Sequence, residues 1–90
     1  MIAMIQRLID EEAALRIPAH CLTPRANLYE LGLTSFDAIR LLVAIEWAFR
    51  VEFPRELLNR QTVTSIEAIT TALRAVRSSM ALAKELRAAA

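Results

Sequence analysis

The side chain in this sequence best placed to do chemistry is the hydroxyl of Ser35. It follows Leu31-Gly32-Leu33-Thr34, a stretch that holds the chain's only glycine. Thr34 and Asp37 have the threonine-x-x-acid spacing of a capping box, with Asp in place of the usual Glu or Gln. That spacing sets Ser35 at about the first helical position. Backbone N–H groups there lack intrahelical acceptors, and the helix dipole is positive. A hydroxyl in that place is exposed beside a natural phosphate site, so it is suited to carrying a covalently attached phosphate group. Ser65 also opens a helix after a threonine, in Thr64-Ser65-Ile66-Glu67, which has the spacing of a full capping box. No Leu-Gly turn precedes it, and it reads as an ordinary cap.

Other reactive side chains form no comparable set. His20 and Cys21 are neighbours in a proline-bounded loop, and a lone pair cannot complete a tetrahedral metal site. A partly buried Cys21 and a surface His20 are expected, and no metal site. Asp10, Glu11 and Glu12 resemble a solvated helix face rather than acid–base groups. The arginines are scattered rather than striped, which argues against nucleic acid.

The elements that must hold Ser35 are helical. Ile2, Ile5, Leu8, Ile9 and Ala13 recur at steps of three and four, predicting a first helix over about Ile2 to Leu15. Pro18 and Pro24 bracket an irregular connection up to Thr34. It is long for so small a domain, which favours a structured, functional loop anchored by Leu28, Leu31 and Leu33. A second helix runs from Ser35 to about Arg50, and Pro54 blocks its continuation. Residues 55–60 read as a short helix with Leu57 and Leu58 as its apolar contacts. A final helix opens at the Thr64 box and buries Ile66, Ile69, Ala72, Leu73 and Val76. Residues 80–90, rich in helix formers, form a helical extension or a frayed tail beyond a domain spanning 1–79.

The second helix has more apolar positions than one core stripe needs. Ala38, Leu41, Leu42, Ile45 and Phe49 suit a core. Phe36, Ile39, Val43 and Trp47 form a second stripe that begins beside Ser35. Either this helix is buried on most sides or the second stripe docks partners. A domain this small has little protein left to cover both faces, which favours docking. The Trp47 ring fits either core cover or docking.

Composition bounds the rest. Ninety residues make one domain, too small for a deep catalytic cleft with its supporting shell. Eleven basic and ten acidic residues leave a net charge of +1, which gives no global argument for nucleic acid or an anionic membrane. Charges interrupt every apolar run before membrane-spanning length. No basic segment followed by an apolar one opens the chain, so no signal peptide is expected. The single cysteine excludes an internal disulfide and fits a reducing cytoplasm. Scarce glycine with abundant Ala, Leu, Ile, Arg and Glu points to an all-α fold.

Residues 2–76 resemble the acyl carrier and peptidyl carrier protein family, most specifically over Leu28 to Ile69. The family pattern has a leucine-glycine pair, a serine soon after it, and an apolar residue following the serine. An apolar helix then ends in phenylalanine. Next come a proline-bearing segment, a short third helix and a last helix opened by threonine. Here these are Leu31-Gly32, Ser35, Phe36, the helix to Phe49, Val51-Glu52-Phe53-Pro54, Leu57-Leu58, and Thr62-Val63-Thr64-Ser65-Ile66-Glu67-Ala68-Ile69.

The resemblance implies a four-helix bundle of three longer helices and a short third one. It implies that Ser35, flanked by Thr34 and Phe36, receives 4′-phosphopantetheine from coenzyme A through a separate phosphopantetheinyl transferase. The terminal thiol of that arm then holds an acyl or aminoacyl group as a thioester. The protein would be a monomeric shuttle rather than a catalyst. Partner enzymes that load and transfer the cargo would dock on Phe36, Asp37, Ile39, Arg40 and Val43. Two departures stand out. Thr34 replaces the aspartate that commonly precedes the serine, and the charge is balanced where many members are strongly acidic. Threonine can still cap the helix, so the local geometry should survive, and the balanced charge fits a dedicated stand-alone carrier of lipid or specialised metabolism with its own partners. The competing reading is a non-prosthetic helical adaptor that uses the second-helix stripe only for binding.

Overall fold

The structure, a computed structural model, describes the backbone of residues 1–89 and the side chains as far as Leu86. It is all-helical: α1 spans Ile2–Glu12, α2 Ser35–Phe49 and α3 Ile66–Ala89. Three 3-10 turns, at Ala19–Cys21, Arg55–Leu57 and Arg60–Val63, lie in the connections. The core is one cluster. Ile5 and Ile9 from α1, Leu41 and Ile45 from α2, and Ile66, Ile69 and Leu73 from α3 are almost wholly buried, and Leu28 and Val63 join them from the loops. Glu12 on α1 pairs with Arg40 on α2 at 3.3 Å, and Leu8 lines a groove with Ala44 and Ala48, which sets the two helices antiparallel. The guanidinium of Arg77 on α3 lies 5.1 Å over the Phe49 ring at the end of α2.

Helix α1 is shorter than its sequence period suggests. Ala13 is extended (φ −131°, ψ 145°) although its N–H still donates to Ile9 O. Beyond it the backbone pairs elsewhere, Arg16 N–H donating to Leu31 O at 3.0 Å. Tertiary pairing with the loop before Ser35 therefore replaces another helical turn.

The expected short helix at residues 55–60 is a 3-10 turn over Arg55–Leu57, with a second 3-10 turn beginning at Arg60. Leu57 N–H donates to Pro54 O and Leu58 N–H to Arg55 O. Asn59 then turns extended (φ −144°), and its Oδ1 accepts from the N–H groups of Gln61 and Thr62, starting the second turn. Thr62 Oγ1 donates to Leu57 O at 2.6 Å. These local side-chain bonds compete directly with an α-helical ladder. Leu57 is half-buried, whereas Leu58 is exposed and anchors nothing.

Helix α3 starts one residue later than its capping spacing implies. Ser65, not Thr64, is the cap, with Ser65 Oγ accepting from Ala68 N–H at 3.0 Å. Thr64 Oγ1 donates back to Arg60 O, and Glu67 pairs with Arg25. Residues 80–89 continue α3 without a break, while Ala90 lies outside the described residues. The molecule measures 50 × 22 × 19 Å, and the 24-residue α3 is about 36 Å long. No helix among the described residues is long and apolar enough to cross a membrane.

Candidate functional site

The loop before Ser35 is built so that the chain enters α2 at one angle. Asn27 Oδ1 accepts from Tyr29 N–H at 2.9 Å, which opens a turn. Leu28, fully buried, pins that turn to the core, and its N–H donates to Thr64 O at 2.8 Å, next to the start of α3. Leu28 O then accepts from both Leu31 N–H and Leu33 N–H. The reversal that permits this falls on Gly32, whose φ of 114° is one that side-chain-bearing residues rarely adopt. Leu33 is buried immediately after it. With Leu28 and Leu33 both held inward, the next residues must turn outward.

Thr34 is the N-cap of α2 (φ −86°, ψ 164°). Its Oγ1 accepts from Asp37 N–H at 3.0 Å and its carbonyl from Ala38 N–H at 2.9 Å. The first bond satisfies one of the donors left without a helical acceptor, and the second is the first bond of the helix ladder. The amides of Ser35 and Phe36 have no helical carbonyl upstream of them. Ser35 is exposed at the first helical position, beside these two donors and at the positive end of a 15-residue helix. The chemistry available is esterification of an outward hydroxyl, with the resulting phosphodiester next to backbone donors. Ser65 offers no equivalent: it is buried, and its hydroxyl already serves as a cap.

From this end an apolar ridge runs along α2. Phe36 is 69% exposed, Ile39 62%, Val43 48% and Trp47 81%, while Ala38, Leu41, Leu42 and Ile45 on the opposite side are buried. Asp37, in the first turn, is partly covered. Arg40 does not stand free, because its Nε is 3.3 Å from Glu12 Oε2. That pairing joins residues 28 positions apart, and no local spacing announces it. Asp10, expected in a solvated face, has a structural role: its Oδ1 accepts from Ala19 N–H at 2.9 Å and holds the proline-bounded loop. In that loop Cys21 is exposed rather than partly buried, and His20 is also exposed. Among the described residues no group of three or more His, Cys, Asp or Glu side chains could hold a metal ion.

An exposed hydroxyl at the start of a central helix, in a small all-helical domain, suits a carrier domain. The family model described as the phosphopantetheine attachment site matches residues 5–73, and the chain belongs to that family. Its prosthetic group is covalently held 4′-phosphopantetheine, and it is a carrier on which enzymes act, not an enzyme. The exposed hydroxyl and the two amides beside it fit a phosphodiester.

Two curated relatives align over 69 residues, 77% of this chain. One is an aminoacyl carrier protein of Agrobacterium fabrum, strain C58, at 41% identity over 83% of its length. The other is aminoacyl carrier protein 1 of Bradyrhizobium diazoefficiens, at 26% identity over 72% of its length. Among solved structures, the fold is similar to a crystal structure of an engineered Bradyrhizobium japonicum glycine:[carrier protein] ligase complexed with a carrier protein from Agrobacterium tumefaciens and AMP. That match has a TM-score of 0.79 and 38% identity over 82% of this chain and 99% of the matched one. A solution structure of an Agrobacterium tumefaciens protein matches with a TM-score of 0.69 and 34% identity, covering 91% of this chain and 99% of its own.

Proposed function

We propose that Ser35 is the attachment residue and that the cargo is an activated amino acid, loaded by an ATP-dependent ligase. The observation that carries the first part is the contrast between two helix-start serines. Ser35 is exposed with its hydroxyl unclaimed by the fold, and Ser65 is buried with its hydroxyl in use as a cap. The second part draws on the relatives, which are named as aminoacyl carriers, and on a similar carrier that is complexed with a glycine ligase.

Attachment joins Ser35 Oγ to the pantetheine phosphate of coenzyme A. The serine proton passes to a base of the transferase, and adenosine 3′,5′-bisphosphate leaves. The group then supplies a thiol at the end of a flexible arm, and that thiol carries the cargo as a thioester. This chain holds the hydroxyl outward through the Thr34 cap and the Gly32 turn, and offers the amides of Ser35 and Phe36 to the phosphodiester. Phe36, Asp37, Ile39, Arg40 and Val43 form the face presented to partners nearest the arm.

Intact mass spectrometry tests the reading. Incubation with coenzyme A and a broad-specificity phosphopantetheinyl transferase is expected to add one phosphopantetheine to the wild-type chain and to Ser65→Ala. Ser35→Ala is expected to gain nothing. Subsequent incubation with the Bradyrhizobium glycine:[carrier protein] ligase, ATP and glycine is expected to add one aminoacyl group to the modified protein only. An unmodified wild-type chain overturns the attachment site, and a modified chain that accepts no amino acid overturns the cargo.

A further inference from the structure

Helix α3 outlasts the body it packs on, and the face it leaves bare has a pattern of its own. At about 100° per residue, Thr71, Ala75, Ser79, Leu82 and Leu86 fall within about 80° of arc. All five are exposed. The first three are small and the last two are large, Leu82 being 57% exposed and Leu86 63%. Two open grooves run beside this face and meet, because Leu57 and Ala75 line both. One lies along the 59–64 segment and reaches back to Ala68, and the other lies along the 52–57 segment and reaches forward to Ala83. No residue of α2 lines either groove. The match to the family ends at Leu73, so most of this face lies outside the part of the chain matched to it.

We infer that this face pairs with the same face of a second copy, the two α3 helices running antiparallel about a two-fold axis between Ser79 and Met80. Three observations select that occupant. First, the face is complementary to itself. In this register Leu82 of one copy meets the gap between Ala75 and Ser79 of the other, and Leu86 meets the gap between Thr71 and Ala75. Each large side chain is seated among small ones, and the two-fold axis makes every contact twice. Second, the same register sets Arg74 of each copy opposite Glu85 of the other. These two residues lie within about 20° of each other around the helix, on the flank next to Leu82, and a two-fold axis brings like flanks together. Neither has an opposite charge at helical spacing. Arg74 has Thr70, Thr71, Arg77 and Ser78 at those positions, and Glu85 has Ala81, Leu82, Ala88 and Ala89. The charges along the grooves are of both signs: Arg25 is paired with Glu67, and Glu52, Arg55 and Glu56 stand beside them. They select no strongly charged partner. Third, the area fits a weak pair. Met80, Leu82, Leu86 and the small side chains between them bury roughly 500 Å² per copy, about 1,000 Å² in all, the lower end for specific association. The dimer is therefore reversible, with a Kd on the order of 100 µM, and the dilute chain is single. Pairing gives the helical extension the tertiary face that a segment so short needs. It leaves Ser35 and α2 uncovered, so two arms are presented together, and it replaces the monomer that the family resemblance implies.

Sedimentation of the full chain under reducing conditions, which remove any crosslink through Cys21, tests the pairing. The weight-average mass is expected to rise from near one chain at about 10 µM toward two chains at about 1 mM. Helical circular dichroism per residue is expected to rise over the same range, because pairing holds the extension helical. Leu82→Glu is expected to remain a single chain at the highest concentration while keeping the wild-type urea midpoint when dilute. Arg74→Glu sets like charges together twice and is expected to weaken pairing about fivefold. The double change Arg74→Glu with Glu85→Arg is expected to restore it. A full chain that stays single throughout overturns the pairing. So does a dimer indifferent to Leu82→Glu, or a double variant that pairs no better than Arg74→Glu alone. Each of these results leaves the carrier reading of Ser35 untouched.

Discussion

At the scale of single residues, the site depends on where hydroxyls are spent. Thr34 spends its oxygen on Asp37 N–H so that Ser35 need not. Removing that cap by Thr34→Ala is expected to cost about 1 kcal/mol, read as a lower urea midpoint at unchanged slope. The same variant is expected to be modified more slowly on Ser35, because the first turn then frays. A full-stability Thr34→Ala chain would mean that the loop, not the cap, fixes the helix start. Both Thr34 and the Gly32 turn were legible in the sequence, since each acts on its immediate neighbours. The second cap was legible as Ser65, although the box spacing set the helix start one residue early. Thr64-Ser65-Ile66-Glu67 allows either hydroxyl to cap, and the choice falls to Ser65 because Thr64 is taken by Arg60 O and Leu28 N–H. Arg40 was likewise legible as a surface charge on α2, but its Glu12 partner comes from another helix.

At the scale of elements, α2 is a single helix with two jobs on opposite faces. Its inner stripe makes the core and its outer stripe remains bare. Leu41→Ala, at a fully buried position, is expected to destabilise by about 2–5 kcal/mol in urea. Ile39→Ala, 62% exposed, is expected to stay within about 0.5 kcal/mol of wild type while raising the ligase KM. Similar stability losses for both would show that the outer face is packed in solution. The helix was readable from its period, its cap and Pro54. The C-terminal end of α1 and the nature of residues 55–60 were not. Ala13 leaves the helix because Arg16 finds Leu31 O, and residues 55–63 turn tightly because Asn59 and Thr62 side chains take backbone partners. Periodicity registers which residues are apolar, but not which carbonyl a distant amide will prefer.

At the scale of the whole molecule, the unequal lengths of the helices separate a packed body from an extension. Among the described residues, the last buried core residue of α3 is Val76, yet the helix runs on to Ala89. Met80, Leu82 and Leu86 are exposed along it. Among the described residues of this extension, only Met80 and Ala83 line an open groove shared with Phe53 and Pro54. A segment of this length without a tertiary face is marginal as a helix in water, however good its residues are as helix formers. We therefore propose that residues 1–79 are the folding unit. A chain ending at Ser79 is expected to unfold within about 1 kcal/mol of the full chain, because almost no apolar area is lost from the core. Its helical circular dichroism should fall in proportion to the residues removed. It should also accept phosphopantetheine and be loaded at unchanged KM, since Ser35 and the face beside it lie on α2, outside the segment removed. A stability loss of several kcal/mol would instead place the Met80 face against the body as part of the core. In that case Phe53 and Pro54 would be the residues it covers, and the groove between them would be closed in solution.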